Sequence, residues 1–102
     1  MNNLITVPQI GFRTCDAKGF QITFENGWTV SVQFGYGNYC DNRDQRPVGG
    51  NGYRADAPKS RDAEIAAWDA NGVWHKFTDD EVEGYQKPGE VLEFMNMIAS
   101  KT

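Results

Sequence analysis

Two neighbouring segments, residues 20–24 and 28–34, alternate apolar and polar side chains on either side of three turn-forming residues. Alternation with a period of two is typical of β-strands that bury one face. A two-residue turn would place the two apolar sets on opposite faces of the sheet, whereas a three-residue loop pairs Phe24 with Trp28 and aligns both sets on one face. The sequence therefore predicts a β-hairpin with a three-residue loop that ends in a left-handed Gly27.

A second hairpin is predicted in residues 63–77, with a turn at residues 69–72. This turn contains Asp and Asn, whose side chains bond to the local backbone, and Gly, which accepts a positive φ. One further strand is predicted around residues 10–15, ahead of the first hairpin. The predicted cross-strand pairs of the second hairpin are Asp69 with Val73, Trp68 with Trp74, and Ile65 with Phe77.

The C-terminal residues have the spacing of an amphipathic helix. Pro88 suits the first helical position, and Glu90 and Glu93 near the start complement the helix dipole. Apolar residues then recur every three to four positions, which predicts a stripe that covers a sheet. The predicted fold class is therefore α+β: an antiparallel β-sheet of four or five strands with one C-terminal α-helix packed on one face, in a single domain of residues 1–102.

The composition limits the class of function. The chain has 102 residues, 39% of them hydrophobic, and a net charge of −4, which is typical of one soluble domain. No apolar run reaches the roughly 20 residues that span a bilayer, and the N-terminus lacks the features of a secretory signal. We therefore expect a cytoplasmic protein with no membrane partner. Acidic groups prevail overall, so nucleic acid is disfavoured as a partner.

Few residues are candidates for catalysis, disulfide formation or metal binding. His75, the single histidine, could act as a base for Cys40, but its place between two apolar positions of an alternating strand favours a half-buried core role. Cys15 and Cys40 are predicted to be reduced, with a disulfide between them as the alternative. The carboxylates of residues 79–83 are predicted to face water. We predict no catalytic residue, no metal site and no cofactor.

The middle of the chain, residues 35–61, has no periodicity and contains five glycines and two prolines. A loop this long within a small domain is usually functional or disordered. Its arginines and tyrosines could grip an anion, stack on a base or contact a protein, and an exposed tryptophan would add contact surface. The predicted ligand- or partner-binding residues are Tyr36, Asn38, Tyr39, Arg43, Arg46, Tyr53, Arg54 and Trp74.

Residues 19–40, which read GFQITFENGWTVSVQFGYGNYC, resemble a segment of small uncharacterised proteins of tailed bacteriophages and prophages. The likeness continues in residues 63–72, at Trp74, and in residues 84–85 and 90–91. This resemblance implies a product made in the bacterial cytoplasm during infection. The family as a whole has no established catalytic residue, so the resemblance transfers no site.

Three function hypotheses follow from these observations. The first is a non-enzymatic phage accessory protein that binds a host protein, such as a defence component, and inhibits or redirects it. The second is a sponge that sequesters a small nucleotide signal through the arginines and tyrosines of the loop. The third is a small hydrolase, which would require Cys40 and His75 within hydrogen-bond reach. Association with a second copy of the chain stays open.

Overall fold

The structure, a computed structural model, describes residues 9–16, 18–45 and 59–102. Within these residues the chain forms five β-strands and then one α-helix. They are β1 (Gly11–Thr14), β2 (Gly19–Thr23), β3 (Thr29–Gln33), β4 (Ala63–Trp68), β5 (Glu83–Gln86) and α1 (Pro88–Ala99). Each strand pairs antiparallel with the next strand in chain order. The α+β fold class, the strand number and the C-terminal helix are confirmed.

The first hairpin has the predicted register. Ile22 lies opposite Val30, and the amide N–H of Phe24 donates to the carbonyl of Trp28 at 2.9 Å. Gly27 closes the loop with a φ of +90°. The predicted early strand is also present as β1, which extends the same hairpin to a third strand.

The second hairpin is only partly as predicted. Trp68 does lie opposite Trp74, but this is an isolated bridge, and Ile65 lies opposite Glu83 of β5 instead of Phe77. The predicted strand at residues 73–77 is wrong because pairing with β4 does not continue beyond His75, and the Phe77 amide donates to the carbonyl of Asp80. The ring of Phe77 instead packs against Phe94 of α1, with centroids 5.3 Å apart. The edge of β4 that residues 73–77 were predicted to occupy pairs instead with β5. The Gly-Tyr sequence of β5 did not indicate a strand.

One face of the sheet packs against α1 and carries the apolar core. The helix crosses β3 and β4, so the alternating apolar residues of these strands meet its buried side. The buried core residues are Val30, Val32, Ala63, Ile65, Ala67, Phe94 and Ile98. This burial of one apolar stripe and one apolar sheet face drives their association.

Both ends of α1 are held by neighbouring groups. Pro88 occupies the start, where a missing N–H costs no helical hydrogen bond, and the amide of Lys87 donates to the carboxylate of Glu90 at 2.8 Å. At the other end, the side-chain amide of Asn26 donates to the carbonyl of Ile98 at 2.9 Å. The turn of the first hairpin therefore caps the last helical turn, whose carbonyl groups otherwise lack partners.

The opposite face of the sheet, here called the polar face, carries the alternate residues of the same strands. Its members on β2, β3 and β4 are Gln21, Thr23, Thr29, Ser31, Gln33, Glu64, Ala66 and Trp68. The central hydroxyl residues of this face, Thr29 and Ser31, are nevertheless buried. No helix in residues 9–16, 18–45 and 59–102 is long and apolar enough to cross a bilayer.

The packing of α1 predicts the effect of two substitutions on stability. Ile98→Ala should lower the free energy of unfolding by about 2–5 kcal/mol, because the fully buried side chain leaves a cavity between helix and sheet. The matched control Leu92→Ala, at a side chain 59% exposed, should change it by no more than about 0.5 kcal/mol. Urea denaturation measures both values, and equal losses in the two variants would contradict the described packing.

Candidate functional site

Of the predicted loop, residues 35–61, the structure describes 35–45 and 59–61, and the stretch 35–45 is folded around the side chain of Asn38. Its Oδ1 accepts a hydrogen bond from the Gly35 amide at 3.0 Å. Its Nδ2 donates to the carboxylate of Glu64 at 3.2 Å and to Gln33 Oε1 at 3.4 Å. Asn38 is only 8% exposed, so its amide is committed to positioning the loop and not to an outside ligand.

Glu64 accepts a second bond from the loop. Its Oε2 lies 3.2 Å from the amide nitrogen of Tyr39, which donates to it. One carboxylate on the polar face of β4 therefore holds two consecutive loop residues, one through a side chain and one through the backbone. A hydrogen bond to an ionised carboxylate is stronger than a neutral one, about 1.5–3 kcal/mol.

Further contacts tie the loop to the segment that leads into β4. Asn42 Nδ2 donates to the carbonyl of Phe34 at 2.8 Å and to that of Lys59 at 2.7 Å. Arg61 Nε lies 2.8 Å from Asp41 Oδ2, and this hydrogen bond lowers the pKa of the Asp41 carboxyl. Residues 35–45 are thus bonded both to Phe34, which precedes them, and to residues 59–61, which lead into β4.

The loop also touches β5 at a strained position. The amide of Tyr85 donates to the carbonyl of Tyr39 at 2.9 Å. A Cβ at Gly84 would lie 2.5 Å from the Cβ of Tyr39, so only glycine allows this approach. Tyr85 itself has a φ of +58°, a left-handed conformation that costs a non-glycine residue about 1–2 kcal/mol.

The exposed side chains of this loop and of β5 include three tyrosines and one arginine. The guanidinium carbon of Arg43 lies 4.6 Å from the ring centroid of Tyr39, within cation–π range. The Tyr39 and Tyr85 side chains are 43% and 54% exposed, and Tyr36 is also exposed. We call Tyr36, Tyr39, Arg43 and Tyr85 the tyrosine–arginine surface. Tyr85 is not among the binding residues predicted from the sequence, because nothing local distinguishes it from other exposed tyrosines.

The remaining predicted residues lie elsewhere. Arg46, Tyr53 and Arg54 fall outside the described residues. Trp74 is exposed and stacks on Trp68 at 4.9 Å between ring centroids. Because Trp68 and Glu64 are at opposite ends of β4, about 13 Å apart by the strand rise, the structure does not bring Trp74 to the loop.

Cys40 and His75 do not form a catalytic pair. The Cys40 thiol is buried, with Gly35 O at 3.6 Å and the Asn42 amide at 3.4 Å as neighbours, and burial raises its pKa. His75 lies at the other end of β4, where its amide donates to Ala67. A thiol with a raised pKa is a poor nucleophile. Both Cys15 and Cys40 are free, so the alternative of a disulfide is wrong.

The acidic segment has local partners. Asp80 Oδ1 accepts from the amide of Glu81 at 2.6 Å, and the Glu81 carboxylate lies 3.3 Å from the ammonium of Lys76. Throughout the described parts of the chain, no group of three or more histidine, cysteine or acidic residues could hold a metal ion.

A groove on the polar face is a feature that sequence analysis missed. It has a volume of about 540 Å³ and lies at the Trp68 end of the sheet, away from the tyrosine–arginine surface. Its lining residues are Gln9, Ile10, Gly11, Phe12, Arg13, Gln21, Thr23, Thr29 and Trp68. The alternation in the first hairpin predicts that its polar positions share one face of the sheet. It does not predict that this face is concave.

Comparisons with protein-family models, with curated proteins and with solved structures found no match to this chain. The resemblance to phage proteins therefore stays a prediction, and the candidate sites rest on geometry and chemistry.

The environment of His75 predicts a pH effect. Its imidazole packs edge-on against Phe77 at 4.9 Å and Phe94 at 5.5 Å, and burial, followed by the charge of Lys101, lowers its pKa below the usual 6.5. As pH falls below 6.5, the unfolded chain binds this proton first, so the free energy of unfolding decreases until the lowered pKa is reached. An NMR titration of the single imidazole should give a midpoint below 6.5. A midpoint at or above 6.5 would refute a desolvated His75.

Proposed function

We propose that this chain is a non-catalytic binding protein that engages a partner protein through the tyrosine–arginine surface. The observation that carries the proposal is the Arg43 guanidinium held 4.6 Å from the exposed ring of Tyr39, on a loop fixed by the buried Asn38. Tyrosine and arginine are enriched among the residues that dominate binding energy at protein interfaces. The surface therefore has the chemistry of an interface anchor.

The loop contacts support this role energetically. Ordering a loop and its side chains at the moment of binding costs about 0.5–1.5 kcal/mol for each immobilised side chain. Here the backbone of Tyr39 is bonded on one side to Glu64 and on the other to Tyr85 before any partner arrives. A surface organised in advance loses less free energy on association, as rigid tyrosine-rich binding loops do.

The class of partner in this proposal is a host protein. The sequence resemblance to small phage and prophage proteins supports an accessory protein that works in the cytoplasm of an infected bacterium. Such a protein would inhibit or redirect a host component, including a defence component. The exposed guanidinium of Arg43 favours a partner that offers a carboxylate or an aromatic ring.

The nucleotide-sponge alternative receives less support at this surface. Arg43 Nη1 donates to the carbonyl of Gly37 at 3.4 Å, and its guanidinium covers the Tyr39 ring. A nucleotide would have to displace these contacts in order to use both side chains. A flat contact with a protein can use the pair as it stands, which is why we favour a protein partner.

Affinity capture from a lysate of infected bacteria tests this proposal. The tagged wild-type chain should retain a host protein that the double variant Tyr39→Ala, Arg43→Gln loses. A loss of about 2 kcal/mol for an interface anchor corresponds to about a 30-fold weaker Kd, measured with the purified partner. The matched control is Lys76→Gln, an exposed cation outside the surface, and it should bind as the wild type does.

Two results would count against the proposal. One is that the wild-type chain retains no host protein above a tag-only control. The other is that the double variant retains the partner as well as the Lys76→Gln control does. Amide NMR spectra of both variants must match the wild-type spectrum outside the substituted positions. This check separates a lost contact from a lost fold.

A further inference from the structure

We propose that the groove on the polar face binds a small molecule in which a planar aromatic ring is joined to one anionic group, a phosphate or a carboxylate. Its volume of about 540 Å³ lies within the range of about 300–1,000 Å³ that is typical of small-molecule sites. This site shares no residue with the tyrosine–arginine surface, so it is independent of the proposed partner contact.

The sheet register gives the groove its floor. Gly11, Thr23, Thr29 and Trp68 are successive partners across four strands, so their positions form one row on the polar face. A Cβ added at Gly11 would meet no atom of the described residues within 4 Å, so among these residues nothing covers this end of the row. A ligand placed along the row would meet the indole at one end and the open β1 end at the other.

The indole of Trp68 supplies the aromatic platform. It is half-buried, and the ring of Trp74 stacks on it at 4.9 Å with planes tilted by 33°. Trp74 thereby restricts the orientations that Trp68 can take. An aromatic ring held in this way contributes about 1–3 kcal/mol when a planar ring such as a base stacks on it.

Two hydroxyl groups supply directional polar contacts. Thr23 Oγ1 and Thr29 Oγ1 lie 2.8 Å apart and share one hydrogen bond. Because each hydroxyl has one hydrogen, the pair keeps one hydrogen for a further acceptor. The Thr29 side chain is only 6% exposed, so bulk water reaches it poorly. The amide of Gln21, in the adjacent row, can donate as well.

The charge of the lining selects the anionic group. Arg13 is the only ionisable side chain among the lining residues, and no carboxylate accompanies it. Arg13 is two residues after Gly11 on the same face of β1, and it lies opposite Gln21. A guanidinium binds phosphate and carboxylate with paired hydrogen bonds, which a neutral ligand cannot match. Arg13 on β1 and Trp68 on β4 line opposite ends of the groove, so a ligand that carries both an anionic group and a planar ring can contact the cation and the indole at once.

Nucleoside 5′-monophosphates (AMP, GMP, CMP and UMP) and indole-3-acetate are the probes for a test by NMR titration of the full chain. At least one of them should shift the Trp68 indole and Thr29 amide signals saturably. Adenosine and inorganic phosphate, each of which carries only one of the two groups, should bind at least tenfold more weakly. Binding of a nucleotide identifies a phosphate ligand, and binding of indole-3-acetate alone identifies a carboxylate ligand.

Variants then locate the site. Arg13→Gln and Thr29→Val should each weaken binding of the best probe at least tenfold, and the exposed Arg13 can be changed without altering the core. The control Lys76→Gln, at an exposed cation outside the groove lining and outside the tyrosine–arginine surface, should bind the probe as the wild type does. The inference is wrong if no probe binds saturably, if inorganic phosphate alone binds as well as a nucleotide, or if Arg13→Gln binds as the wild type does. Each of these results leaves the partner proposal intact.

Discussion

The side-chain amide of Asn38 is the contact on which the geometry of the irregular segment depends. It closes a tight turn by accepting from Gly35 and docks that turn on the sheet by donating to Glu64. Without it, a half-buried carboxylate would lose a hydrogen bond, and a buried group left without a partner costs about 1–3 kcal/mol or more when charged. The Asn38 amide places Tyr39 beside Glu64 and Tyr85, whose bonds to the Tyr39 backbone then fix its position.

Strand β4 connects the two candidate sites. Glu64, near the start of β4, accepts hydrogen bonds from the loop, and Trp68, at the end of β4, forms the aromatic platform of the groove. Both side chains lie on the polar face, while the residues between them alternate into the apolar core under α1. A central strand with one core face and one polar face can therefore contribute to two separate surfaces, one near each of its ends. We infer that the helix serves mainly to bury the other side of this strand.

The sequence was most informative where the signal is local. Alternation and a three-residue loop determine the register of the first hairpin, and proline with acidic residues marks the start of α1. Phe77 was misplaced because its burial depends on Phe94, a contact distant in sequence that overrides strand propensity. Asn38 was identified by residue type, but its partner Glu64 is 26 residues away, so a binding role could not be distinguished from a positioning role. The groove depends on four strands at once, and no local pattern encodes it.

The central claim is that residues 35–45 form a fixed surface before any partner binds, and amide hydrogen exchange measured by NMR tests it most directly. The Gly35 and Tyr39 amides donate to Asn38 and Glu64 and should exchange at least about tenfold more slowly than in an unstructured chain, the minimum expected of bonds worth about 1.5 kcal/mol. In Asn38→Ala both amides should lose this protection while the Val30 amide keeps its own. Unprotected Gly35 and Tyr39 amides in the wild-type chain would contradict the account.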